Sequence, residues 1–290
     1  MTISEAYIDF TEKLKTVYED REAENISDWI FENVIGLKKW ERRENKKNEL
    51  GENHFKKIEN YLEKLLKHTP VQYVLNEAWF YKMKFFVNEN VLIPRPETEE
   101  LVEWIISDLK NTGADSEATN IVDIGTGSGC IAIALKKEIK NSILSALDAS
   151  DFALEVARKN SKDLNAEINF LHFDFLNENE WQLLHKFDII VSNPPYIPLK
   201  EKELLAKNVS QYEPGIALFV KNDDPLIFYK KIADFSKAHL KPKGKIYVEV
   251  HEAYANEVRS IFENSGYKSE IKKDIYGRER MVKADLLLVH

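Results

Sequence analysis

The sequence predicts an α/β protein with a mostly parallel sheet, preceded by a small helical bundle and joined to it by a β-hairpin. Three observations carry this. From residue 120 onward, short β-branched runs alternate with helical patterns, as in a sheet covered on both faces. Before residue 70, apolar residues recur at helical spacing. Between the two, residues 79–93 (WFYKMKFFVNENVLI) are aromatic and β-branched. At ~100–200 residues per domain, the 290 residues make one large domain or two unequal ones. The expected division is a helical bundle over 1–70, a hairpin connector over 71–96 and a sheet domain over 97–290.

In the first helix, over 2–20, Ile3, Tyr7, Phe10, Leu14 and Val17 share a face, and Thr2 with Glu5 forms a capping box. A second, from about Glu22 to Ile35, places Ile26, Ile30 and Val34 together and stops at Gly36. A third, from about Glu52 to Lys67, carries Phe55, Ile58, Leu62, Leu65 and Leu66 before Pro70. The hairpin follows, with its turn expected at Asn88–Asn90. A helix then opens after Pro94 and Pro96 with acidic residues in its first turn. Residues 111–119 form a polar loop. Strands are expected near 120–124, 142–147, 167–172, 187–192, 244–250, 268–275 and 283–289. Helices are expected near 128–139, 151–164, 225–240 and 252–264.

The composition, 43% hydrophobic and 31% charged, is that of a soluble globular protein. No apolar run approaches the ~18 residues of a membrane helix, and the opening MTISEAYIDF has no basic-then-apolar leader, so a cytoplasmic protein is expected. The lone Cys130 excludes an intrachain disulfide, and the histidines lack metal-ligand spacing, so no metal is expected. Cys130 lies just inside the helix after the glycine loop, where a thiol pKa can be lowered, but no nucleophilic role is assigned to it. A net charge of −8 disfavours a protein devoted to gripping phosphate backbones. The basic cluster Lys38, Lys39, Arg42, Arg43, Lys46 and Lys47 is interrupted by Glu41, Glu44 and Glu49 and reads as a solvated face.

Asp123-Ile124-Gly125-Thr126-Gly127-Ser128-Gly129 lies between a strand and a helix, where an α/β sheet binds nucleotide-like ligands. Glycine there admits close backbone approach to a ligand. The spacing is neither that of a dinucleotide fold nor that of a phosphate loop. Asp148, ending the next strand, offers a carboxylate that matches a ribose diol. Together they point to a ribose-bearing cofactor. The strand FDIIVS then ends in Asn193-Pro194-Pro195-Tyr196. The prolines have no N–H with which to continue a ladder. The Asn193 side-chain oxygen and the Pro194 carbonyl can therefore accept both hydrogens of a planar –NH2 group, while Tyr196 stacks on the flat group attached to it. Such acceptors raise electron density on the nitrogen and stabilise charge that develops there.

With DIGTGSG followed by NPPY, the chain resembles S-adenosylmethionine-dependent amino-methyltransferases. Leu92-Ile93-Pro94-Arg95-Pro96-Glu97-Thr98-Glu99 narrows the resemblance to the peptide chain release factor glutamine methyltransferases of the HemK/PrmC type. Pro70-Val71-Gln72-Tyr73, Tyr212-Glu213-Pro214 with Ala217-Leu218, and Asp274 with Tyr276-Gly277-Arg278-Glu279-Arg280 are similar to further segments of that family. The resemblance implies a seven-stranded, Rossmann-like methyltransferase sheet with S-adenosylmethionine as cofactor. It implies that Gly125, Thr126, Gly127, Ser128 and Gly129 line the methionine and ribose end, and that Asp148 binds the ribose. Asp174-Phe175 falls beside the adenine, with Phe where the family commonly has Trp. Asn193, Pro194, Pro195 and Tyr196 would hold the glutamine and carry the chemistry, with Asn193 also facing the cofactor. Residues 1–70 would recognise the substrate. The implied partner is a class I release factor methylated at N5 of the glutamine in its GGQ motif, by a monomer with no direct nucleic-acid substrate and no membrane. A methyltransferase for an exocyclic amine of a nucleic acid base shares the motif order, but needs a base-flipping surface and a recognition region. Only about 94 residues follow Tyr196, and the rest of the sheet takes most of them. A non-catalytic binding module on the same fold would show decay of the glycine loop or of NPPY, and both are intact.

Overall fold

A computed structural model describes residues 1–112 and 118–286. The expected loop 111–119 and the end of the last expected strand lie largely outside the described residues. The chain forms two compact units, Met1–Glu77 with Ala206–Tyr212, and Ala78–Leu205 with Glu213–His290.

In the helical unit, Thr2 and Glu5 form the capping box of helix Ile3–Leu14. This helix stops at Leu14 and not near residue 20, because the Thr16 hydroxyl donates to the Lys13 carbonyl (2.7 Å) and draws the chain into a turn. Gly36 ends helix Asp20–Ile35 in the left-handed region, φ 71°. These two helices and helix Glu52–Leu66 bury Phe10, Leu14, Ile30, Phe31, Ile58 and Leu65 in one core. Short helices Lys39–Glu44, Val71–Leu75 and Lys207–Ser210 add to the unit, and Tyr212 donates its hydroxyl to the Lys67 carbonyl (2.5 Å). The basic face is not wholly solvated. Arg42 is buried, with its guanidinium 4.0 Å from the Tyr7 ring centre and bonded to Asp28. Asp28 also accepts from Tyr7 Oη (2.8 Å) and pairs with Lys39 (2.6 Å).

The larger unit opens with a hairpin of β1 (Ala78–Phe80) and β2 (Met83–Phe85). Its turn is Tyr81-Lys82, both at positive φ (48° and 61°), and not Asn88–Asn90. Non-glycine residues hold this conformation because Glu99 accepts from the Tyr81 amide (2.8 Å) and Glu103 from its hydroxyl (2.6 Å). Next come β3 (Thr119–Ile124), β4 (Ser142–Asp148), β5 (Asn169–His172), β6 (Phe187–Ser192), β7 (Ile197–Pro198), β8 (Phe219–Val220), β9 (Leu240–Glu249), β10 (Tyr267–Lys273) and β11 (Glu279–Leu286). Seven of these form one sheet in the order β10-β11-β9-β6-β3-β4-β5, antiparallel only where β11 meets β9 and β10. Alternate residues of each strand face opposite cores. Ile121, Leu144 and Val191 pack with helices Pro96–Thr112 and Cys130–Glu138. Val122, Ile190 and Val248 pack with helices Ile227–His239 and Ala255–Asn264. The Asp274–Arg280 segment makes the β10–β11 turn, where Asp274 Oδ1 accepts from the amides of Tyr276 and Arg278 (both 2.9 Å).

One buried amide ties the hairpin exit to the rest. Asn160, on helix Asp151–Asp163, donates Nδ2 to the carbonyls of Phe86 and Ser128 (2.9 Å each) and accepts the Phe86 amide on Oδ1 (2.7 Å). Asn160→Ala leaves these backbone groups without their partner. The expected loss, read as a lower midpoint in urea with the slope unchanged, is about 2–3 kcal/mol.

Candidate active site

β3, β4 and β6 stop at one level because their ladders place Ile124 opposite both Leu147 and Ser192. The sheet order reverses between β3 and β6, and an open α/β sheet binds ligands at such a switch point. Beyond these ends lies a cavity.

The glycine loop forms one wall. The amides of Gly125 and Thr126 both donate to the Leu147 carbonyl (2.9 Å). That sharp turn requires left-handed backbone at Gly125 (φ 74°) and Gly127 (φ 53°), and a Cβ on either would meet nothing within 4 Å. Asp148 fixes the loop across the strand ends, accepting from the Gly127 amide on Oδ2 (2.8 Å) and from the Ser150 amide on Oδ1 (2.9 Å). Burial raises its pKa, and these amide donors oppose the rise. Asp123 accepts from the Thr126 hydroxyl on Oδ2 (2.7 Å), while its Oδ1 is buried with no protein partner. Burial, opposed by the Thr126 hydrogen bond, carries its carboxyl from 3.8 to about 7.

Of the residues expected from sequence, Gly125, Gly127, Asp148, Asp174, Phe175, Asn193, Pro194 and Pro195 line the cavity. Thr126, Ser128, Gly129 and Tyr196 are not in its wall. Thr126 is turned to Asp123, Ser128 is buried, and Gly129 begins helix Cys130–Glu138 packed close to Ala157 and Ile133. Tyr196 points its hydroxyl at Glu249 Oε1 (3.1 Å), and its ring meets that of His251 edge-on at 6.0 Å. Burial, with Glu249 nearby, raises the pKa of this hydroxyl.

The NPPY segment leaves β6 where the Ser192 hydroxyl donates to the Ile124 carbonyl (2.7 Å), which joins it to the glycine loop. Asn193 donates Nδ2 to Thr98 Oγ1 (3.1 Å), leaving Oδ1 available. Thr98 in turn donates to Glu249 Oε2 (2.6 Å).

With this geometry in place, the comparisons are specific. A family model described as the PrmC N-terminal domain matches residues 5–75, and one described as the methyltransferase small domain matches residues 102–212. A release factor glutamine methyltransferase of Flavobacterium psychrophilum is 40% identical over 292 residues, covering 98% of this chain and 99% of the relative. One from Bacteroides thetaiotaomicron is 37% identical over 281 residues, covering 97% and 98%. The chain belongs to the release factor glutamine methyltransferase family. Two solved structures share the fold. One is a methyltransferase from Pyrococcus furiosus (TM-score 0.51, 17% identity, 78% of this chain and 98% of that one). The other is the hMettl16 catalytic domain (TM-score 0.53, 18% identity, 71% and 76%).

Within this methyltransferase, Phe175 is backed by a second aromatic that sequence reading left out. Trp181 stacks on it (5.6 Å, 29°) and donates its indole N–H to the Phe175 carbonyl (2.9 Å). The IPRP segment is held by a buried carboxylate: Glu213 pairs with Arg95 (2.6 Å) and accepts from the Ile93 amide (3.2 Å). Burial, opposed by Arg95, raises the pKa of Glu213. Burial also pushes the Cys130 thiol up to about 12, which removes it as a nucleophile at neutral pH.

Asp123 makes a pH-dependent contribution to stability. Between about pH 4 and 7 the folded chain keeps a proton that the unfolded chain has lost, so stability falls as pH rises through this window. Asp123→Asn keeps an oxygen for Thr126 but cannot ionise. Thermal unfolding across that range should show this slope in the parent and not in the variant, with the variant gaining relative to the parent toward pH 7.

Proposed function

We propose that the chain transfers a methyl group from S-adenosylmethionine to the side-chain amide nitrogen (N5) of the glutamine in the GGQ motif of a class I release factor. The reading is carried by Asn193. Its own –NH2 is taken by Thr98, so its carbonyl oxygen is available on a cavity wall next to Pro194. Two acceptors there suit the two N–H groups of a primary amide.

S-adenosylmethionine, when bound, supplies a methyl group activated on a sulfonium sulfur. The cavity wall, and Asp123 bonded to Thr126 of the glycine loop, fit it. Asp123 Oδ1, a buried acceptor without a donor, suits the ammonium of its methionine end. Asp148 keeps lone pairs for ribose hydroxyls after accepting two amides. Asp174 and Phe175 form the wall for the adenine, and Gly125 and Gly127 leave room on the near side.

An amide nitrogen is a weak nucleophile because its lone pair is shared with the carbonyl. Acceptors on both N–H groups push electron density back to nitrogen and stabilise positive charge as it develops. Asn193 Oδ1 and the Pro194 carbonyl take that role, and fixing the amide plane lowers the entropic part of the barrier. Tyr196 contributes through its ring, whose hydroxyl end is anchored on Glu249. The helical unit, matched by a model of its own, recognises the protein substrate.

Labelled cofactor offered with purified release factor and, separately, with DNA and RNA should mark only the release factor, on glutamine by mass spectrometry. Label in a nucleic acid pool alone would overturn the reading. Asn193→Ala should lower the single-turnover rate at saturating substrates by ~10²–10³, the cost of removing one preorganised polar group. Asn193→Asp, which keeps an acceptor oxygen, should lose less. Intact release factor should also be used far better than a short GGQ peptide, with the difference in kcat as well as KM, because contacts remote from the amide help position it.

A further inference from the structure

We propose that Glu249 is a positioning residue for methyl transfer: through Thr98 its acceptor-only carboxylate sets the direction of a hydrogen-bond chain that turns the Asn193 side-chain oxygen toward the target amide. The inference rests on the reading of Asn193 as the acceptor for that amide.

An asparagine side chain is nearly symmetric in shape, and its two ends differ only in hydrogen-bond sense. With Oδ1 toward the cavity, Asn193 accepts from a substrate –NH2. With Nδ2 there, it presents hydrogens to hydrogens. Something must choose between the two, and packing alone does not. The choice is made two bonds away. Glu249 ends β9, where the β6–β9 ladder pairs Ser192 with Val248, so it stands beside the residue that begins NPPY. Its two oxygens each receive one hydroxyl, Thr98 on Oε2 (2.6 Å) and Tyr196 on Oε1 (3.1 Å). A carboxylate can only accept, so the single Thr98 proton is committed to Glu249. Thr98 Oγ1 then has only lone pairs left for Asn193, which must offer Nδ2 (3.1 Å). Oδ1 is thereby assigned to the cavity.

The surroundings hold this sense in place. Glu249 is 1% exposed and Thr98 2%, so water does not offer either group another partner. Burial raises the Glu249 pKa, and the Thr98 and Tyr196 hydroxyls, with Arg280, oppose that rise by favouring the carboxylate. The backbone of Glu249 is also fixed, since Tyr229 donates its hydroxyl to the Glu249 carbonyl (3.0 Å). Thr98 sits in the first turn of helix Pro96–Thr112, so the chain couples three elements: that helix, β9 and the segment after β6. Tyr196 and Asn193 are both oriented from the one carboxylate.

The test is the single-turnover methylation rate of intact release factor at saturating S-adenosylmethionine, with cofactor affinity measured by calorimetry. Thr98→Val keeps the shape and deletes the hydroxyl; Glu249→Gln keeps the shape and adds a donor where only acceptors stood. Each should lower the rate ~10-fold or more while cofactor affinity stays within ~3-fold, and Thr98→Ser should recover most of the Thr98→Val loss. The decisive arm repeats Thr98→Val and Glu249→Gln in an Asn193→Ala background. A relay that works through Asn193 has nothing left to orient there, so neither change should cost a further ~2-fold. Losses that persist undiminished in that background would make both residues merely structural and overturn the proposal. So would a Thr98→Val enzyme at the parent rate while Asn193→Ala is impaired. If Asn193→Ala itself runs at the parent rate, it is the reading of Asn193 as acceptor that falls, and the relay with it.

Discussion

The register of three parallel strands is the constraint on which the rest of the site depends. Ile124, Leu147 and Ser192 lie side by side, so β3, β4 and β6 release their chains at one level. From that line the glycine loop turns under the Leu147 carbonyl, Asp148 reaches back to hold it, and NPPY departs from a residue bonded to β3. A slip of one residue in any ladder would send every side chain of that strand to the other face of the sheet. It would also separate the acceptor at Asn193 from the loop at Gly125 to Gly129. The two apolar cores, one on each face, make such a slip costly: Ile121 and Val122, adjacent in β3, are both fully buried on opposite sides.

The parts of the site legible in the sequence are those where the backbone makes an unusual demand. Glycines at positive φ and prolines without an N–H are conspicuous in any strand–helix alternation, and they mark the loop and the strand end. Residues whose role arises from contacts far along the chain were not legible. Thr98 meets Asn193 across 95 positions and Glu249 across 151, and Asn160 meets Phe86 across 74. A signal existed for two of them. Glu249 interrupts the apolar run of KIYVEV, and Asn160 follows Val156 and Ala157 on the buried face of its helix. A polar residue on a buried face must find partners, which makes it worth pursuing even when the partners cannot be named. The hairpin turn was misplaced for a related reason. Asn88–Asn90 has the stronger local turn preference, but Glu99 and Glu103 on helix Pro96–Thr112 hold Tyr81-Lys82 in the left-handed region.

The helical unit shows the same division between local and distant information. Its three main helices follow from apolar spacing, Thr2 and Gly36. The return of residues 206–212 to this unit does not, because no periodicity in seven residues indicates where they pack. Arg42 reads as one charge in a basic run, yet it is buried against Tyr7 and Asp28, where charge-assisted bonding and the ring face together offset its desolvation. The other five basic residues of that run stay exposed, so the pattern of charge alone does not single out the buried member.

Four carboxylates, Asp123, Asp148, Glu213 and Glu249, have pKa values raised chiefly by burial, and of these Asp148 lines the cavity. Each is a cost to folding that a purely structural core avoids. The four are met differently, and the differences follow their work. Glu213 has Arg95 and a backbone amide, and it holds the entry to helix Pro96–Thr112. Asp148 has two backbone amides, which fix the loop. Glu249 accepts one hydroxyl on each oxygen, which sets the sense of the hydrogen bonds around it. Asp123 alone keeps an oxygen without a protein partner. A carboxylate paired with a cation would stabilise the fold more, but it would leave no acceptor for a ligand and impose no sense on its neighbours. On the proposed reading, rate by electrostatic alignment needs acceptors held ready before the substrate arrives, and the unpartnered Asp123 Oδ1 is such an acceptor.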